Sequence, residues 1–301
     1  MSVLNRINTR VIPASFEYHE PKTLDEALKL LNELGDAARI LAGGTDLLVK
    51  MKSRSIEPKH IINIKRIEGL RYISEEGGLI KIGALTTWRD LERSQQIRQK
   101  LPALYDAVKS MGSVQVRSMA TIAGNLCNAS PAADSAPPLL VHEAKVIAVS
   151  LRGKRTIPID QLFLSPGKTS LLPSEMLIEI DIPLPPYNSS SSFLKLARTS
   201  MDLAKASAAV YIKMNGDVVE DAKIALGSVA PTPILAKKAA AELIGKKASE
   251  EVISKASSIV ASEISPIDDI RSTAFYRRKV SPILVSDAIH MAISRLRGDG
   301  A

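Results

Sequence analysis

The stretch Arg39-Ile40-Leu41-Ala42-Gly43-Gly44-Thr45-Asp46-Leu47 constrains the fold of this chain more than any other. Arg39 to Ala42 reads as a short buried strand, two glycines interrupt it, and Asp46 to Met51 then reads as a helix. A strand that turns through glycine straight into a helix is the building step of an α/β unit. Upstream, Thr23-Leu24-Asp25-Glu26 has the pattern of a capping box. Leu24, Ala27, Leu28, Leu31 and Leu34 then recur at helical spacing, and Gly35 suits the stop. His60 to Ile64 gives a further strand. These elements define a compact α/β lobe over residues 1–65.

A second lobe is expected over 66–185. Tyr72–Ser74 and Leu79–Ile82 flank Glu75-Glu76-Gly77-Gly78 as a hairpin. Thr87-Trp88-Arg89-Asp90 resembles another capping box, and Leu101, Leu104, Ala107, Val108 and Met111 suggest a helix. Ser118 to Pro138 bears glycine and proline. Val146–Val149 and Thr156–Ile159 read as a hairpin, and Met176–Ile182 as an alternating strand. Pro183 to Ser192, with three prolines and four consecutive serines, is the expected linker. Residues 186–301 then form an α+β block. Strands Ala208–Ile212 and Ala222–Leu226 meet at an Asn215-Gly216 turn. Helices follow over Leu235–Ile244, Glu250–Ile264 and Pro282–Arg295.

Composition narrows the function. The 301 residues allow two or three domains at roughly 100–200 residues each. The chain is 45% apolar but 4% aromatic, so its cores must rest on Leu, Ile, Val and Ala. Its net charge of +8 is scattered, densest at Arg277-Arg278-Lys279 and Arg295-Leu296-Arg297, and no nucleic-acid partner is expected. Cys127 is the single cysteine, which excludes an internal disulfide and an iron–sulfur cluster held by this chain alone. Four histidines without H-x-x-x-H spacing argue against a metal site. No signal-peptide pattern follows Met1 and no apolar run approaches about 18 residues, so a cytoplasmic protein without a membrane span is expected. Redox work by such a chain needs an organic cofactor.

Two segments carry candidate chemistry. In the first, 40–47, glycine lets the backbone approach a ligand, free N–H groups at the helix start favour an anion, and Thr45 adds a hydroxyl. The same pattern also serves a plain tight turn. In the second, Thr121-Ile122-Ala123-Gly124-Asn125 through Pro131-Ala132-Ala133-Asp134, small residues and short polar side chains can wrap a ligand, with Asp134 accepting from a sugar hydroxyl. An irregular surface loop is the other reading. A dinucleotide shared between the two lobes accounts for both segments at once.

At these residues the chain resembles the FAD-binding medium subunit of xanthine dehydrogenase-type molybdenum hydroxylases, as in carbon monoxide dehydrogenase and aldehyde oxidoreductases. The family pattern A-G-G-T/H-D/S is matched by Ala42–Asp46, T-I-G-G-N by Thr121–Asn125 and P-A-A-D by Pro131–Asp134. The resemblance spans nearly the whole chain. It departs at Ala123, where the family has the first glycine of a pair. It implies a two-lobed PCMH-type, vanillyl-alcohol oxidase-like α+β fold, followed by a C-terminal α+β domain with an antiparallel sheet and helices. By position it assigns FAD contacts to Ile40, Leu41, Ala42, Gly43, Gly44, Thr45, Asp46 and Leu47, then to Thr121, Ile122, Ala123, Gly124 and Asn125. Asp134, Leu177 and Lys195 complete that set, and Phe193 falls where relatives place an aromatic near the flavin. Asp269 to Arg278 resembles the family's C-terminal domain and reads either as a charged helix entry or as a surface facing a subunit or FAD.

The resemblance further implies an oxidoreductase whose substrate chemistry lies elsewhere. An iron–sulfur small subunit with [2Fe–2S] clusters and a molybdopterin large subunit are the expected partners, in a dimer of heterotrimers. FAD on this chain would pass electrons to an external acceptor, with no catalytic side chain and no metal here. A stand-alone flavoenzyme of the same fold and a non-catalytic binding module are the alternatives.

Overall fold

The computed structural model describes residues 12, 14–199 and 201–298. The first lobe contains β1 (Glu17–His19), α1 (Leu24–Leu34), β2 (Ala38–Leu41), α2 (Leu47–Lys52) and β3 (His60–Asn63). Its three strands are parallel in the order β1-β3-β2. Thr23 caps α1, its Oγ1 accepting from the Glu26 amide at 3.2 Å. The Glu26 carboxylate accepts from the Lys22 amide, one residue before the cap, so the box is offset by one position. Ala27, Leu28 and Leu31 bury one face of α1 against Ile62 and Ile64.

The second lobe runs through β4 (Ile73–Glu76), β5 (Leu79–Gly83), α3 (Trp88–Arg93), α4 (Gln95–Lys100), α5 (Pro102–Ser110), α6 (Val114–Met119), α7 (Ile122–Asn128) and α8 (Ala136–Val141). It continues with β6 (Lys145–Ser150), β7 (Gly153–Pro158), the small pair β8 (Phe163–Ser165) and β9 (Lys168–Thr169), and β10 (Met176–Pro183). Five strands form an antiparallel sheet ordered β4-β5-β10-β6-β7. The glycine- and proline-bearing stretch 118–138 is not an irregular loop: it carries all of α7 and the start of α8. Small residues there let the chain pack tightly, and Ile122, Ala123 and Leu126 are buried.

The third region holds β11 (Ser189–Leu196), β12 (Ala206–Asn215), β13 (Val218–Gly227), β14 (Ile234–Leu235), α9 (Lys237–Leu243), α10 (Glu250–Glu263) and α11 (Ala274–Arg297). Its antiparallel sheet is covered on both faces. Ala209, Tyr211 and Ala225 join the core of the second lobe, while Ala208, Val210 and Ile212 face the helices. This placement changes two expectations. The serine run is not a linker: Ser189 to Ser192 lie in β11 and pair with β12. The buried hydroxyls find partners, Ser192 donating to the Ala288 carbonyl at 2.6 Å and Ser191 accepting from the Ala103 amide at 3.1 Å. Pro282 does not open the last helix. α11 starts after Thr273, whose hydroxyl accepts from the Tyr276 amide, and Pro282 lies inside it.

Candidate functional site

The first glycine turn sits at the carboxyl end of β2, where the parallel strands of the lobe finish. Gly44 has φ +79, a left-handed conformation that glycine adopts without strain. Gly43 is constrained by what it faces. A β-carbon built there would stand 2.3 Å from the Met119 carbonyl oxygen and 2.8 Å from the Ala120 Cα. The backbone of the first lobe thus touches that of the second immediately before Thr121. Lys50 of α2 adds a second bridge, donating to Asn128 Oδ1 at the end of α7 at 2.5 Å.

Helix α7 begins as a capped turn rather than a loop. Thr121 Oγ1 accepts from the Gly124 amide at 3.1 Å, and the Thr121 carbonyl accepts from the Asn125 amide. The entry is fixed from below: the Trp88 amide donates to the Ala120 carbonyl, and the Ile122 amide to the Thr86 carbonyl. Ala123 lies in the first helical turn and is buried, so its methyl group faces the core instead of crowding a ligand.

The two segments differ in what they can donate. Among the described residues, the amides of Gly43, Gly44, Thr45 and Asp46 meet no acceptor. Amide groups left free at a turn before a helix are anion ligands by nature. In the second segment the amides of Ile122, Gly124 and Asn125 are already engaged. Ala123 N–H and the Asn125 side-chain amide remain, the latter oriented by Ser135, whose hydroxyl donates to Asn125 Oδ1 at 2.6 Å.

Asp134 and Lys195, far apart in sequence, meet at 2.7 Å with both side chains only 5% exposed. Lys195 also donates to the Ser110 carbonyl. Burial pushes the Asp134 carboxyl above its ordinary value, and Lys195 opposes that shift. The second carboxylate oxygen of Asp134 is buried without a protein donor. Leu177 is buried in the core that holds Ile122 and Leu126, next to a bulge in the β10–β6 pairing. Phe193 is core as well, its amide donating to Asp106. Ile40, Leu41, Ala42 and Leu47 serve as the apolar frame of the first turn.

The sequence did not single out Arg277 and Ser228 as a tether. Arg277 is buried, donates to the Ser228 carbonyl at 2.7 Å and pairs with Asp269 at 2.6 Å. The Ser228 amide donates to the Pro131 carbonyl, so the Asp269–Arg278 run ties the last helix to the loop carrying Asp134. A cavity of 220 Å³ lined by Pro131, Leu203, Arg271 and Arg277 lies beside it. A larger groove of 1230 Å³, bordered by Arg98, Tyr105 and Arg295, contains none of the sequence-predicted residues. Arg295 there is held by Asp106 in a two-point ion pair.

Two lobes whose backbones meet at a glycine turn with unpaired amides, backed by a third sheet-and-helix region, form an arrangement suited to an anionic ligand. Residues 14–185 match the family profile described as the FAD binding domain in molybdopterin dehydrogenase, and residues 191–292 match the CO dehydrogenase flavoprotein C-terminal domain. The chain belongs to this family of FAD-binding subunits. It is 36% identical to the carbon monoxide dehydrogenase medium chain of Hydrogenophaga pseudoflava, over 95% of this chain and 99% of that one. It is 35% identical to the glyceraldehyde dehydrogenase medium chain of Sulfolobus acidocaldarius, over 92% and 98%. The solved carbon monoxide dehydrogenase of Hydrogenophaga pseudoflava superposes with a TM-score of 0.92 at 37% identity, covering 95% and 99% of the two chains. FAD is therefore the cofactor of this chain, and the chain is a flavoprotein subunit of an oxidoreductase.

Proposed function

We propose that one FAD lies with its diphosphate between the Gly43 turn and the start of α7, and that the chain is the electron-transferring medium subunit of a molybdenum hydroxylase. The observation that carries this reading is the contact of Gly43 with the Met119–Ala120 backbone, which brings a turn with four unpaired amides against the residues just before α7. The residues fit the group. Unpaired N–H donors suit a diphosphate, the glycine leaves no side chain in the way, and Asp134 keeps an acceptor for a hydroxyl or ring N–H. When bound, FAD supplies the redox chemistry. The amides of Gly43 to Asp46 hold the phosphates, with Thr45 adding a hydroxyl. Ala123 N–H, Asn125 and Thr121 close the opposite wall. Asp134 and Lys195 orient the flavin end, and Leu177 contributes an apolar surface.

On this reading the working units are 1–65, 66–185 and 186–301. The relatives are named medium chains, which supports small and large partner subunits. On this reading those partners are an iron–sulfur small subunit and a molybdopterin large subunit, in a dimer of heterotrimers that delivers electrons to an external acceptor. A lone cysteine with no disulfide partner suits the cytoplasm, and among the described residues no helix is long and apolar enough to cross a membrane. The test is isolation of the tagged chain from its native cell extract, with metal and flavin analysis. Co-isolation of iron- and molybdenum-bearing chains is expected, together with flavin on this chain and no aldehyde oxidation by the chain alone. Aldehyde turnover by the pure chain, or its isolation without flavin or partners, contradicts the proposal.

A further inference from the structure

Two of the four histidines, 41 residues apart, meet on the first sheet. Parallel pairing sets Glu17 opposite His60, and His19 follows two residues later on the same face of β1. His19 Nε2 is 3.1 Å from His60 Nδ1, and His60 Nδ1 is 3.4 Å from Glu17 Oε2. All three atoms lie within 4.8 Å of one another. A tetrahedral zinc ion with ligands at about 2.0–2.1 Å holds those ligands about 3.3–3.4 Å apart. Both short separations are close to edges of that tetrahedron.

A hydrogen bond between the two rings accounts for only part of this arrangement. The single Nδ1 of His60 faces both the His19 nitrogen and the Glu17 carboxylate, and one ring nitrogen carries at most one proton. Glu17 is 74% exposed, free to turn to water, yet its oxygen points at the same atom. A cation between the three atoms uses a lone pair from each. We infer that Glu17, His19 and His60 bind a divalent transition-metal ion of the zinc class, with a further coordination position left to water. The ion would clip the edge strand β1 to β3. His60 pairs with Ala38 at the start of β2, whereas the glycine turn follows the end of that strand, so the metal lies at the opposite end of the sheet from the FAD contacts.

The test uses the untagged, flavin-loaded full chain, stripped with a chelator and titrated with zinc by calorimetry and elemental analysis. One bound equivalent is expected. His19→Ala and His60→Ala should each weaken binding by at least about tenfold, while His290→Ala keeps it and flavin content stays equal in all. If His60→Ala does not fold, Glu17→Gln, altered at an exposed side chain, should still weaken binding. Absence of saturable zinc binding in the wild type, or binding that survives the His19 and Glu17 substitutions, overturns the inference.

Discussion

Lys195 and Asp134 form an ion pair removed from water, and such a pair is costly to break from one side. Taking away one partner of a buried pair leaves an uncompensated charge at about 3–5 kcal/mol. Lys195→Met is therefore expected to leave Asp134 protonated, to lower the melting temperature and to reduce the flavin-to-protein ratio. Absorbance and a thermal melt read both, and unchanged flavin content would remove the pair from the site. His142 gives a separate residue-scale prediction. Burial, with Lys223 nearby, pushes its imidazole down to about 4 from 6.5. Between those values the unfolded chain takes a proton that the folded chain refuses, so stability present above 6.5 is lost as pH falls toward 4. The loss reaches roughly 3 kcal/mol. His142→Asn should flatten that slope in denaturant melts on either side of the window. Its ring nitrogen lies 3.0 Å from the hydroxyl of Ser191, which explains why the imidazole is held inside.

At the scale of elements, α7 depends on its cap. Thr121→Ala removes the acceptor for the Gly124 amide at a cost of about 1 kcal/mol, while Thr121→Ser keeps it. The alanine variant is expected to bind FAD more weakly and the serine variant normally, as flavin titration of the apo-chain would show; equal affinities would detach the cap from the site. This helix was hard to see in the sequence. Glycine, alanine and asparagine between Thr121 and Asn128 have little helical periodicity to read, and burial against Trp88 and Leu177 supplies what local propensity lacks. The serine run misled for a related reason. Serines mark linkers when solvated, but in β11 their hydroxyls bond α5, His142 after α8, and α11 across a sheet covered on both faces. By contrast, α1 and the hairpins at 73–83 and 145–158 were legible, because regular apolar spacing and turn residues carry local information.

For the whole molecule, the readable part was the pair of motifs and the hidden part was how they face each other. Ala42–Asp46 and Thr121–Asn125 could be found by eye, yet nothing local shows that Gly43 rests on Met119 or that α7 consumes most of its own amides. Likewise, spacing along the chain could not show His19 beside His60, since register across a parallel sheet brings them together. The central claim is that both lobes grip one diphosphate, the first through free amides and the second through Ala123 and Asn125. The most direct measurement is a crystal structure of the flavin-loaded chain. Diphosphate density is expected within hydrogen-bonding distance of the Gly43–Asp46 amides and beside Asn125; density in the groove of Arg98, Tyr105 and Arg295, with the glycine turn bare, would refute a shared diphosphate grip.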